Sequence, residues 1–153
     1  KLGSFTHYAA KLGSFTHYAA MARLNVPYIL TSQEPTLRDT LLFFARTVQQ
    51  MHDLGQKDII LDPGFGFGKT VEENFALLAQ LECLQVMELP VLVGLSRKSM
   101  IWRTLGCRPD DALNGTTALH AVALTKGASI LRVHDVRQAV ECITLQKSLN
   151  SNL

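Results

Sequence analysis

"ILDPGFGFGKT" occupies Ile60–Thr70, and its reading decides how the rest of the chain is understood. An apolar run ends in an acid. A proline, three alternating glycines and a lysine follow. Such glycines let the backbone take φ > 0 or come close to a ligand. A P-loop would need its first glycine at Pro63, which has no N–H to offer a phosphate. A dinucleotide fingerprint fits Gly64 and Gly66, but its third glycine would fall on Lys69. What remains is a strand, "DIILD" (Asp58–Asp62), that delivers an acid to a permissive turn. The glycines alone describe a tight strand-to-helix turn equally well. The acid asks for more, because a buried carboxylate needs a partner.

Outward from this stretch the pattern is strand, then helix, repeated. "VPYIL" (Val26–Leu30) reads as a short strand. Thr36–Gly55 carries Leu37, Leu41, Phe44, Ala45, Val48, Met51 and Leu54 at helical spacing, with Gly55 as its stop. Val71–Met87 reads as one helix, with Glu72 and Glu73 in the turn where the dipole favours acids. "PVLVGLS" (Pro90–Ser96) is a third strand. A helical stretch begins near Lys98, and another spans Asn114–Ala128. "SILRVHDV" (Ser129–Val136) is a fourth strand, and Arg137–Leu149 the last helix. The strands are nearly all apolar, as parallel strands covered on both faces are. The class is therefore α/β, either a doubly wound sheet or part of a β/α barrel. In both, ligands bind at the carboxyl ends of the strands. Asp62, Ser96-Arg97-Lys98, Arg132 and His134 all fall there.

"GLSRKS" (Gly94–Ser99) sets two cations and two hydroxyls where a strand hands over to a helix, a place that favours anions. The plainer reading is a helix cap with two solvated cations. In "LRVHDV" (Leu131–Val136) a period of two puts Arg132 and His134 on one side and Val133 and Asp135 on the other. An Arg and a His projecting together suit a phosphate or pyrophosphate. The competing reading is a structural ion pair of Arg132 with Asp135 or another acid. Cys83 and His120 read as core or surface filler, and Trp102 as helix packing.

The bulk composition narrows the classes. The chain has 153 residues, 47% hydrophobic and 18% charged, which suits one globular domain and not a disordered one. A net charge of +2 gives no nucleic-acid footprint. Cys83, Cys107 and Cys142 are odd in number and widely spaced, without metal-binding spacing. They read as reduced and buried, in a cytoplasmic protein. There is no membrane span and no signal-peptide layout. "KLGSFTHYAA" occurs at 1–10 and again at 11–20. A perfect duplication matches no solenoid period and reads as a feature of how the sequence was assembled, with 21–153 forming the domain. Duplication also explains the paired His7 and His17 without a metal.

"LDPGFGFGKT", "LVGLSRKSMI" and "ILRVHDV", in this order and at domain-scale spacing, resemble dihydropteroate synthase, a pterin-binding enzyme of folate biosynthesis and the sulfonamide target. The resemblance covers roughly Met21 to Leu145. It implies a (β/α)8 barrel of which only about four β/α units are present. It implies a transferase that joins 6-hydroxymethyl-7,8-dihydropterin pyrophosphate to p-aminobenzoate and releases pyrophosphate with Mg2+. By matching positions, Asp62 is the acid that binds the pterin ring. Lys98 contacts the pterin and lines the aminobenzoate pocket, and Arg132 and His134 hold the pyrophosphate. Phe67 is an aromatic wall of the aminobenzoate pocket. Ser99 is a hydroxyl near the aminobenzoate carboxylate, and Gly94 lets the pterin approach the backbone. Lys98, Arg132 and His134 are the catalytic candidates.

A full barrel takes about 200 residues or more. The family's earlier motifs do not occur here: the "NVTPDSF"-like loop with its magnesium-binding asparagine, the Thr-Arg loop, and the acid and amide after the third and fourth strands. No metal ligand is therefore assigned in this chain. Where the family reads Met-His-Met, this chain reads Thr31-Ser32-Gln33. A half barrel has open edges, so the expected partners are small-molecule substrates plus a second copy or a missing half-barrel, with no nucleic acid and no membrane. The alternative function is a catalytically incomplete fragment that binds pterin or phosphate.

Overall fold

The computed structural model describes residues 15–151. The first copy of the decapeptide, with His7, lies outside them. Six α-helices and four strands follow in order: α1 (Phe15–Ala22), β1 (Tyr28–Thr31), α2 (Leu37–Asp53), β2 (Ile59–Asp62), α3 (Val71–Ala79), β3 (Leu92–Val93), α4 (Ser99–Leu105), α5 (Leu113–Thr125), β4 (Ile130–Leu131) and α6 (Val136–Asn150). Two 3-10 segments, Leu81–Met87 and Pro109–Asp111, sit between them.

The strands are parallel and pair in sequence order. β1 lies on β2 with Tyr28 opposite Ile59 and Thr31 opposite Asp62. β3 lies on β4 with Leu92 opposite Ile130. A bridge between Leu61 and Val91 joins the two pairs, and the Leu61 N–H donates to the Pro90 carbonyl at 2.8 Å. Helices connect each strand to the next, as parallel pairing requires. This is four consecutive β/α units of a barrel wall.

The core lies between the sheet and the helices. Leu30, Ile59, Leu61 and Val93 from the strands meet Phe44, Val48 and Met51 from α2 and Leu77 and Leu78 from α3. Each such side chain contributes about 1.5–3 kcal/mol relative to exposure. The other face of β1 is open: Leu30 is 3% exposed, whereas its neighbour Ile29 is 46% exposed. In a closed barrel an inward-pointing strand residue packs in interior layers, and the described half leaves Ile29 without them.

Several expectations shift. The Val71–Met87 helix is two pieces. It stops at Gln80 and continues as a 3-10 turn that ends with Glu88 at φ 53°. Leu81 and Leu84 are buried at a spacing of three, which stacks them along one line of the 3-10 helix. The third and fourth strands are shorter than Pro90–Ser96 and Ser129–Val136. Their pairing runs out after Val93 and Leu131, apart from the Arg132 N–H to the Val93 carbonyl at 2.9 Å, because Gly94–Ser96 turns away towards α4. Of the three cysteines only Cys142 is buried; Cys83 is exposed and Cys107 half-buried. All three are free thiols. The second decapeptide copy supplies most of α1, which packs on α2. Tyr18 is buried there, edge-on to Tyr28 with centroids 6.3 Å apart.

Candidate functional site

The strand ends converge on one rim. β2 delivers Asp62, which is 7% exposed. Its Oδ1 accepts the Gly64 N–H at 2.8 Å, and its Oδ2 lies 3.5 Å from the Thr31 hydroxyl. Burial pushes its carboxyl above the usual range, against the Gly64 hydrogen bond, the Thr31 contact and the charges of Arg132 and Lys98. Among the described residues Asp62 forms no ion pair. Two hydrogen bonds leave acceptor capacity on a carboxylate that has room for about four.

The loop after Asp62 is bolted in place. Gly64 has φ 74°, and a Cβ there would lie 1.9 Å from the Ser32 carbonyl oxygen, so only glycine fits. Ser32 is fully buried, and its N–H donates to the Asp62 carbonyl at 2.8 Å. The other end is held by Asn74, 1% exposed on α3. Its Oδ1 accepts the Gly66 N–H at 2.8 Å, and its Nδ2 donates to the carbonyls of Thr70 at 2.6 Å and Lys69 at 3.3 Å. A capping box between Thr70 and Glu73 starts that helix.

This loop presents Phe67 to Lys98, whose Nζ sits 4.6 Å from the ring centroid. The Lys98 stem runs under Gly66, where an added Cβ would lie 2.8 Å from Lys98 Cδ. Burial holds the Lys98 ammonium below its ordinary pKa, and the Arg132 charge adds to this while Asp62 opposes it. Asp62, Phe67, Lys98 and Arg132 thus form one electrostatic neighbourhood. Lys69 joins it: its Nζ donates to the Gly64 carbonyl at 3.2 Å, and burial lowers its pKa against Asp62, Glu34 and Glu73.

Arg132 and His134 are exposed, whereas Val133 and Asp135 are half-buried, in keeping with the period-two alternation. Asp135 does not pair with Arg132. It takes Arg97 instead, with Nε to Oδ2 at 2.9 Å and Nη2 to Oδ1 at 2.8 Å. Arg97 also donates to the Asp110 carbonyl at 2.6 Å. So of the two cations in "GLSRKS", Arg97 is a clamp between loops and Lys98 belongs to the rim. His134 is tied to Ser96, with Nδ1 2.9 Å from its hydroxyl. Gly94 lies beside Arg132, where a Cβ would make only an ordinary 4.0 Å contact. Protein packing therefore gives no reason for glycine there, and the space above it is open. Ser99 is the first residue of α4, half-buried, next to Lys98.

Sequence reasoning passed over Asn74 and Lys69 as site residues, and it placed Ser96 on the rim without giving it a partner or a role. Asn74 carried a readable signal, a polar side chain four residues after a capping threonine on an otherwise apolar stripe. Among the described residues no group of three or more His, Cys, Asp or Glu is placed to hold a metal. No helix there is long and apolar enough to cross a membrane.

Residues 20–134 match the profile of the pterin-binding enzymes. The chain belongs to that family. Among the chain's relatives, Escherichia coli dihydropteroate synthase is 46% identical over 90 residues, 59% of this chain and 32% of the relative. The Bacillus subtilis enzyme of the same name is 38% identical over 125 residues, 76% of this chain and 44% of the relative. The chain spans less than half the length of these curated relatives. The structure of Yersinia pestis dihydropteroate synthase with a pterin–sulfa conjugate superposes with a TM-score of 0.86 at 36% identity, covering 90% of this chain and 57% of that one. The Coxiella burnetii dihydropteroate synthase, solved with pteroic acid, gives 0.83 at 34%, covering 90% and 57%. The fold is thus part of the (β/α)8 barrel of these transferases.

Proposed function

We propose that this chain carries the pterin- and aminobenzoate-binding half of a dihydropteroate synthase. The observation that carries the reading is Asp62: a desolvated carboxylate with spare acceptors and no ion pair among the described residues, at a strand end shared with Lys98 and Arg132. Adjacent N–H donors of an aminopyrimidinone ring are the complement of such a group. Gly94 leaves the backbone open for the ring to approach. Lys98 contacts the pterin, and with Phe67 it walls the aminobenzoate pocket. Ser99 lies near the aminobenzoate carboxylate. Arg132 and His134 hold the pyrophosphate.

In the reaction the methylene carbon–oxygen bond to pyrophosphate breaks. The arylamine nitrogen then bonds that carbon and loses a proton. The residues here position both substrates and stabilise the departing charge. Mg2+ would assist the leaving group; among the described residues no group of three or more His, Cys, Asp or Glu is placed to hold it. In the family the magnesium-binding asparagine belongs to the other half of the barrel. The enzyme would be cytoplasmic and a sulfonamide target, completed by a second copy or by the remaining half-barrel.

The second reading, a fragment that binds but does not turn over, is favoured by the open face at Ile29. Pyrophosphate release by the purified chain, given the pterin pyrophosphate, p-aminobenzoate and magnesium, separates the two. Turnover that is lost on Arg132→Ala supports the enzyme. Pterin binding without turnover supports the fragment. Neither binding nor turnover rejects both.

A further inference from the structure

Ser96 is a buried hydroxyl, 3% exposed, just beyond the end of β3. It meets His134 twice. The His134 backbone N–H donates to Ser96 Oγ at 3.2 Å, and the His134 Nδ1 lies 2.9 Å from the same oxygen. A serine hydroxyl has one proton and two lone pairs. The backbone N–H can only donate, so it takes a lone pair. The ring contact then has two forms for a neutral imidazole. Either the hydroxyl donates its proton to a bare Nδ1, or Nδ1–H donates to the oxygen. In the second form the hydroxyl proton has no acceptor in a buried place, and an unsatisfied buried donor is costly.

We infer that Ser96 is a positioning residue that fixes neutral His134 as the Nε2–H tautomer, with that N–H aimed into the open rim as a donor for an anionic oxygen of a diphosphate. The bond made by one ring nitrogen sets what the other presents. The next residues on both sides reinforce the geometry. Arg97 and Asp135, directly after Ser96 and His134, form the two-pronged ion pair already described. The Arg97 N–H is held by the Thr116 hydroxyl at 3.1 Å. Arg97 keeps φ 53°, a left-handed backbone that a non-glycine residue holds only when its surroundings over-determine it. Two rungs therefore cross between the same two loops. The Arg97–Asp135 rung sets their spacing, and the Ser96–His134 rung sets the ring. The diphosphate part of this inference rests on the proposed function; the tautomer part does not.

The test is two-bond proton–nitrogen correlation of 15N-histidine in the full chain at pH 8, with His134 assigned by His134→Gln. Alongside it, inorganic pyrophosphate is titrated by calorimetry. The expected result is His134 as the Nε2–H form in the natural chain. Ser96→Ala should give a mixture of both tautomers and pyrophosphate binding weaker by roughly tenfold, the scale of one oriented hydrogen bond. Ser96→Thr, which keeps the hydroxyl, should restore both. A folded natural chain with His134 as the Nδ1–H form overturns the inference, as does an unchanged tautomer in Ser96→Ala. If the tautomer behaves as expected but Ser96→Ala binds pyrophosphate normally, the positioning role is overturned. If even the natural chain binds no pyrophosphate, the proposed function fails, and the tautomer result alone decides the role of Ser96.

Discussion

Arg97 and Lys98 are neighbours in sequence, yet their charges sit in opposite surroundings. The Asp135 carboxylate holds the Arg97 guanidinium above its ordinary pKa by a hydrogen bond, and Arg97 in turn holds Asp135 below the usual carboxylate range. One residue on, burial and the Arg132 charge hold the Lys98 ammonium below its ordinary value. Asp62 faces it with a carboxyl pushed up by its own burial. In the clamp each charge finds a partner and folding favours the charged forms. At the rim folding disfavours them. Strongly shifted groups clustered at a strand-end rim mark candidate functional sites.

The comparison breaks most sharply at the loop that keeps the rim charges in place. Gly64→Ala adds a Cβ against the Ser32 carbonyl and strains a left-handed backbone. The expected loss is roughly 2–5 kcal/mol of stability, read from urea unfolding. Asn74→Ala removes three hydrogen bonds from the same loop. It leaves the Gly66 N–H without that acceptor, at an expected cost of about 1–3 kcal/mol and a mobile Phe67 in relaxation measurements.

Lys98→Met should change stability by less than about 1 kcal/mol, because the cation–π contact with Phe67 that it loses is offset by relief of a desolvated charge. Arg97→Ala, next door, should lower the melting temperature, because it strands Asp135. Equal effects from the two would erase the distinction between clamp and rim.

Acid titration of stability sharpens it further. Asp62 binds its proton more tightly folded than unfolded, so its contribution is fully present below pH 3.8 and is lost as pH rises through the folded value. Asp135 behaves in the opposite sense: its contribution is present above pH 3.8 and is lost as pH falls through the folded value. His120, whose pKa burial lowers, adds a contribution present above pH 6.5 and lost as pH falls below it. Asp135→Asn should therefore flatten the acid limb of chemical unfolding below pH 3.8, and Asp62→Asn should steepen it above pH 3.8.

What was legible in the sequence follows range. The α2 helix was legible because Phe44, Val48 and Met51 repeat at helical spacing and all three are buried. The rim was legible because a strand end fixes where Asp62 and Lys98 must emerge, and alternation fixes that Arg132 and His134 share a side. The partners of Arg97 and Ser96 were not, because both bonds join residues 38 apart and no local pattern encodes them. Periodicity could not separate α3 from the 3-10 turn after it, since buried residues three apart satisfy both geometries. α1 was not legible because most of it lies in an exact copy of the preceding ten residues, and a duplication explains the pattern without a helix that buries Tyr18.

The most direct test is calorimetric titration of 6-hydroxymethylpterin into the natural chain and into Asp62→Asn, with the melting temperature of each measured on the same samples. The account predicts that the natural chain binds and that Asp62→Asn binds about 10–100-fold more weakly, the scale of a charge-assisted hydrogen bond. It predicts that the same variant melts higher, because a desolvated charge is gone. Unchanged pterin affinity, or a lower melting temperature, would contradict it.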